Sequence, residues 1–350
     1  MRVRAVDVNL VAQEEYLAGG LGGIARYCRE QSANLERIKP VGSCVRITGI
    51  REDGLLGMFS TKALGPGFRP SSRITHNLTE RPLIPARRDN TVLINTAHEF
   101  QRILYPEITR AEGRLISEMP GYLLKKSYMR DILKGDYIIA VSGQTKSEAM
   151  RLGFENEVFV VNLGIGDEFM RGRKRIPRKP GKLKVGYIGA VRKRKGIGLL
   201  LESMKHLGDD FELRIYGTVF DRYRNEFERL MRTARNATYM GIAPQGGLVD
   251  LYDSFDAFVM PSVYEGFGLG ILEAQARGVP VIISGKGMLP RETSRYCMKA
   301  DNAEGIAKIL WRLKDIGYDD SLRRTAMKYA RSFTWMKTAE KTLKVYEGVS

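Results

Sequence analysis

Short apolar, β-branched runs alternate with stretches of helical periodicity along the whole chain. VRAVDVNLV (3–11) reads as a strand, then a glycine turn and the amphipathic helix IARYCREQSANLERI (24–38). Further strands are predicted at VRITGI (45–50), TVLINTA (91–97), YIIAVS (137–142) and VFVVNLG (158–164). A basic, proline-containing stretch, RGRKRIPRKPGKLK (171–184), interrupts the pattern and reads as a linker. The rhythm then restarts, with strands at 184–191, 211–217, 237–241, 255–262 and 279–284 and helices at 196–207, 225–234 and 269–278. Buried strands separated by helices of this length predict parallel sheets covered on both faces. The expectation is an α/β chain of two doubly wound, Rossmann-like domains facing across a cleft. The first spans 1–168 and regains a C-terminal helix at 333–350; 169–184 is the linker, and 185–332 forms the second.

Composition narrows the chemistry. The 350 residues favour two cores over one. Hydrophobic content of 43% and charged content of 28% suit a folded protein. A net charge of +17 attracts anions: nucleic acid, anionic lipid or phosphorylated small molecules. A Lys- and Arg-rich composition of the thermophile kind explains the same number. Cys28, Cys44 and Cys297 are dispersed without CxxC spacing, which argues against a disulfide framework or zinc site and fits a reducing compartment. The N-terminus lacks a signal-peptide core, and no stretch approaches ~18 uninterrupted apolar residues. The expected location is cytoplasmic, with contact to a membrane surface left open.

Candidate chemistry concentrates in YEGFGLGILEA (264–274), where Glu265 and Glu273 bracket three glycines. On one continuous helix two such residues would stand about 12 Å apart along the axis. The preceding strand, ended by Pro261 and Ser262, instead places Glu265 in a loop and Glu273 one turn into the helix that follows. That bend lets both acids face one ligand. Gly266 and Gly268 permit close backbone approach at a helix start whose free N–H groups attract anions. Read on its own, the stretch also fits a helix start with solvated acids.

The longer stretch PSVYEGFGLGILEAQARGVPVI (261–282) resembles the glutamate-seven-glutamate signature of retaining glycosyltransferases of family 4, which have the GT-B fold. Gly270 stands where that family often has proline. The resemblance implies that Glu273 holds the ribose of a donor nucleotide and that Glu265 contacts the donor sugar. Gly266, Phe267, Gly268 and Leu269 would line the donor alongside them. VGYIGAVRKRKGIGLLLES (185–203) is similar to the family's pyrophosphate-holding strand, loop and helix, with Lys195 at its lysine. Ala190 follows Gly189 where the family has arginine, so the resemblance assigns that role to Arg192 or Arg194 without deciding between them. No Asp-x-Asp pair occurs in the chain, and a metal-free leaving-group site is expected.

AGGLGGIARYCRE (18–30) is similar to the family's N-terminal glycine loop, with Gly22 and Gly23 nearest the reaction centre. It also meets a loose dinucleotide pattern, but the acid wanted about 20 residues on comes late, at Glu52 and Asp53. TVLINTAHEFQRILYPE (91–107) resembles the family's strand-end histidine segment, and His98 is thereby implied to touch the donor sugar. Glu99 replaces the usual aspartate. FTWMKTAEKTLKVYE (333–347) looks like the family's last helix. The resemblance covers nearly the whole chain, 50–90 being its least diagnostic part.

The implied activity is transfer of a sugar from a UDP-, GDP- or ADP-linked donor to the hydroxyl of a glycan, a lipid or a protein-linked glycan, with retention and without a metal. Catalytic roles fall to Glu265, His98 and Lys195. PGYLLKKSYMRDILKGD (120–136) places apolar and basic residues on opposite faces of a helix, which suits an anionic membrane surface or, equally, an ordinary surface helix. Two alternatives remain at this stage: a polyanion-binding protein without catalysis, and a sugar-nucleotide epimerase on the same fold.

Overall fold

The computed structural model describes residues 5–20, 22–50, 72–80, 90–110, 130–171, 181–244 and 246–350. Most of the basic helix expected at 120–135 and most of the linker lie outside them. The chain divides into two compact units: Met1–Leu104 with Leu115–Gly164 and Phe333–Ser350, and Tyr105–Arg114 with Ile165–Ser332.

The first unit holds a six-stranded parallel sheet in the order β2-β1-β3-β4-β5-β6. Its strands are β1 (Asp7–Gln13), β2 (Cys44–Ile50), β3 (Ile74–Asn77), β4 (Val92–Ala97), β5 (Tyr137–Ala140) and β6 (Val158–Val160). Leu10 pairs with Ile47 on one side and His76 on the other, so β1 lies between β2 and β3. Helix α1 (Gly23–Ile38) buries Ala25, Cys28, Ser32 and Leu35 on one stripe, the spacing of a face that meets a core. Helix α2 (Gly143–Arg151) starts where Ser142 accepts from the Thr145 amide, an ordinary N-cap.

The second unit repeats the plan with the order β12-β11-β10-β7-β8-β9, all neighbours parallel. The strands are β7 (Leu183–Ile188), β8 (Phe211–Tyr216), β9 (Ala237–Tyr239), β10 (Ala257–Met260), β11 (Val281–Ser284) and β12 (Met298–Ala300). Its helices include α3 (Ile197–Lys205), α4 (Asp221–Thr233), α5 (Leu248–Asp253), α6 (Leu269–Ala276), α7 (Ala303–Asp315) and α8 (Asp320–Ala330). Val185, Tyr187, Leu213, Ile215, Val259 and Ile282 fill the sheet face against Leu200, Leu201 and Leu310 of the helices. This is the order in which two βαβαβ halves meet, with β7 and β10 at the point of reversal.

The last helix, α9 (Trp335–Val349), belongs to the first unit and packs on α1. It buries Trp335, Thr338, Ala339, Thr342, Val345 and Tyr346. Tyr346 reaches His76 on β3 at 2.6 Å.

The sequence pattern differs from the structure in a few places. Helix α4 starts at Asp221, one turn before the predicted 225, because acidic Asp221 sits well at a helix start. The strand predicted over 158–164 ends at Val160. β3 and β12 had no counterpart in the sequence reading, nor did α7 and α8.

Candidate functional site

In the second unit, the loops leaving β7 and β10 meet beside the reversal point. The β7 loop turns through a single 3-10 turn at Lys193–Lys195 and enters α3 at Gly196. Gly196 adopts φ 71°, and a Cβ there would lie 2.0 Å from the Pro261 carbonyl oxygen at the end of β10. Only glycine lets the two loops approach this closely. The Val263 amide donates to the Arg194 carbonyl at 2.8 Å, and the Arg194 guanidinium donates to the Tyr264 carbonyl at 3.1 Å.

This zipper brings Lys195 onto Glu265. The Lys195 ammonium donates to both carboxylate oxygens at 2.7 Å. Both side chains are largely shielded, 17% exposed for Lys195 and 9% for Glu265. Burial pushes the Glu265 carboxyl up, but Lys195 and then Arg194 outweigh it and hold it below the usual carboxylate range. The Glu265 carboxyl is therefore ionised. Arg192 lies with its guanidinium 4.4 Å from the centre of the Phe220 ring, a cation–π arrangement.

The β10 loop is fixed from β11's side as well. The Glu265 amide donates to the Met288 carbonyl at 3.0 Å, and the Met288 amide to the Val263 carbonyl at 2.8 Å. Buried Thr293 donates its hydroxyl to the Phe267 carbonyl at 2.7 Å. Gly268, at φ 92°, then caps α6 and supplies no side-chain acceptor to the first amides. Two helix starts with glycine caps thus flank the Lys195–Glu265 pair, an arrangement that favours anions.

Glu273 sits one turn into α6 and is 5% exposed. Its Oε2 accepts the Tyr252 hydroxyl at 2.9 Å. Tyr252, fully buried on α5, is wedged among Phe169, Phe255 and Phe258. The next residue, Asp253, clasps the Arg277 guanidinium just past the end of α6, with contacts at 2.8 and 2.6 Å. Gly189, Gly266 and Phe267 lie in these same loops, and Leu269 is the first residue of α6. Among the described residues no cluster of three or more His, Cys, Asp or Glu could hold a metal ion, and no helix is long and apolar enough to cross a membrane.

Gly22, Gly23 and His98 belong to the first unit. Gly22 caps α1 at φ 100° and Gly23 is its first residue. Arg29 secures the loop by donating to the carbonyls of Gly20 at 3.0 Å and Tyr16 at 3.2 Å. His98 follows β4, is buried, and donates from Nε2 to the Leu78 carbonyl at 2.8 Å. Burial lowers its pKa, so the imidazole is neutral with its lone pair on Nδ1. The Tyr27 ring meets it edge-on at 5.1 Å.

Residues 170–333 match the model for glycosyl transferases group 1. That segment belongs to the group 1 glycosyltransferase family. The chain is 29% identical over 250 residues to O-antigen chain mannosyltransferase B of Escherichia coli, covering 64% of each. It therefore spans less than two thirds of that relative's length. Among solved structures, sucrose-phosphate synthase from Thermosynechococcus elongatus superposes with a TM-score of 0.75 at 18% identity, covering 98% of both chains. Anabaena HepE in complex with UDP and glucose gives 0.69 at 14%, covering 97% of this chain and 99% of that one. At such identities the structures establish the fold, the two-unit α/β GT-B type, rather than the reaction.

Tyr252, Thr293, Arg29 and the Met288 backbone went unread in the sequence. Tyr252 acts across 21 residues of chain and Thr293 across 26, while Arg29 acts across 9 and 13, and none of these spacings follows a helix or strand period.

Proposed function

We propose that the chain transfers a sugar, with retention of configuration and without a bound metal, from a nucleoside-diphosphate sugar to an acceptor hydroxyl. The observation that carries this is the largely shielded Lys195–Glu265 pair, set between two glycine-capped helix starts where the second sheet reverses. Ligands of open α/β sheets bind at such points, outside the carboxyl ends of the strands. Support also comes from the family of residues 170–333 and from the UDP and glucose bound to a protein of the same fold.

In this reading the donor diphosphate lies against the amides at the starts of α3 and α6. Lys195 and Arg194 meet the charge that grows on the leaving phosphate as the anomeric C–O bond breaks. Arg194 is preferred over Arg192 because it lies beside Glu265, whereas Arg192 stacks on Phe220. Glu273 anchors the ribose hydroxyls, and Phe267, Gly268 and Leu269 follow the diphosphate. Ionised Glu265 faces the sugar and stabilises its developing positive charge. In the first unit the neutral His98 offers its Nδ1 to a sugar hydroxyl, with Gly22 and Gly23 as that unit's other candidate contacts. The acceptor hydroxyl attacks from the face the phosphate leaves, and its proton passes to that phosphate.

The test is a panel of radiolabelled UDP-, GDP- and ADP-sugars, scored for hydrolysis and transfer with and without EDTA. The reading expects turnover of at least one donor, unchanged by EDTA. Silence across the panel overturns the enzyme assignment, and turnover lost on chelation and restored by Mg²⁺ overturns the metal-free step.

A further inference from the structure

We infer that Tyr252 is a positioning residue for the nucleotide ribose, acting through Glu273, and that Gly270 is the vacancy that makes room for it. This rests on the proposed donor site and goes beyond it.

Three observations lead there. The Tyr252 hydroxyl donates to Glu273 Oε2 at 2.9 Å, so one carboxylate oxygen and the plane of the group are set from α5. The ring cannot swing away, because it is fully buried with Phe169, Phe255 and Phe258 at ring separations of 5.9, 6.4 and 5.3 Å. Finally, a Cβ at position 270 would stand 3.2 Å from the Tyr252 hydroxyl and 3.6 Å from the Phe258 ring. A larger residue at 270 therefore pushes on the very oxygen that holds Glu273.

The chemistry follows from what a ribose diol needs. A carboxylate grips two adjacent hydroxyls only when its plane is fixed, since a freely rotating group loses entropy on binding. A neutral donor such as tyrosine fixes the plane without cancelling the charge, which a lysine or arginine partner would do. Asp253, the neighbour of Tyr252, binds Arg277 beyond the other end of the helix, so α5 holds α6 both at Glu273 and past its last turn.

The experiment measures UDP, GDP and ADP binding by calorimetry to the full chain, and then compares the best ribonucleotide with its 2′-deoxy form. The wild type is expected to favour the ribonucleotide. Tyr252→Phe removes one oxygen and should weaken ribonucleotide binding about tenfold, the worth of one hydrogen bond to a charged group. The 2′-deoxy form should be nearly unaffected, so discrimination shrinks. Gly270→Ala should reproduce the loss, and adding it to Tyr252→Phe should bring little more, because the obstructed oxygen is already gone. A purely structural role for Tyr252 would weaken both nucleotides alike. Unchanged discrimination in Tyr252→Phe, while Glu273→Gln abolishes it, overturns this inference alone. Failure of the wild type to bind any of the three nucleotides overturns the donor site and this inference with it.

Discussion

The buried histidine of the first sheet makes the protein's acid stability calculable. His76 lies on β3 with no exposed surface, Nδ1 2.6 Å from the Tyr346 hydroxyl and Nε2 2.8 Å from Thr96 Oγ1. Burial, and secondarily His98 nearby, push it down from 6.5 to about 3. Above pH 6.5 the ring is neutral whether the chain is folded or not, and it contributes nothing to the pH dependence. Below that value the unfolded chain takes up a proton that the folded one refuses, so stability falls with pH until about 3. The slope is about 1.4 kcal/mol per pH unit, or roughly 5 kcal/mol over the whole window. His98, also held neutral by burial, steepens the fall. Urea unfolding followed by Trp335 fluorescence isolates this unit if Trp311 is replaced by Phe, since the second unit then holds no tryptophan. Between pH 6.5 and 5 the unfolding free energy should drop by at least about 2 kcal/mol. His76→Gln should start less stable at pH 7 but lose about 1.4 kcal/mol per unit of that slope. An undiminished slope in His76→Gln would refute the assignment of a neutral buried ring.

Three further outcomes test the donor site. Glu265→Gln removes the charge that neutralises Lys195, so nucleoside diphosphate should bind about tenfold tighter by calorimetry while turnover of the sugar nucleotide falls. Weaker diphosphate binding in that variant would count against Lys195 as the phosphate cation. Lys195→Ala should cut kcat by roughly two to three orders of magnitude, the worth of one donor to a developing anion, and Arg194→Ala should exceed Arg192→Ala in the same assay. Gly196→Ala places a Cβ against the Pro261 carbonyl in a left-handed turn and should destabilise the second unit by more than ~1 kcal/mol, read from the urea midpoint in a Trp335→Phe background.

The sheets were legible where a strand is an unbroken apolar run, as in Ala257–Met260 with all four residues buried. β3 was not, because Ile74–Asn77 buries Thr75, His76 and Asn77, and no hydropathy pattern marks a polar strand as core. What stabilises it lies elsewhere in the chain: Thr96, Asn95 and Tyr346. At the candidate site, the loop position of Glu265 and the helical position of Glu273 followed from glycine placement and strand length. Their separate partners did not, because Tyr252 lies 21 residues before Glu273 and Lys195 lies 70 before Glu265. The preference proposed for Arg194 over Arg192 rests on contacts rather than pattern, since residues two apart in a loop have no periodicity to order them.

The bond between His76 and Tyr346 spans 270 residues, and it has a consequence for how the chain is born. A ribosome adding ~10 residues each second needs roughly half a minute to pass from one partner to the other. From the completion of β6 at Val160 until α9 is made, the first sheet is on hand without the helix that packs on α1, its polar strand meeting water or a chaperone instead. The second unit, whose principal segment Ile165–Ser332 runs unbroken, can assemble while the first still waits for its final piece.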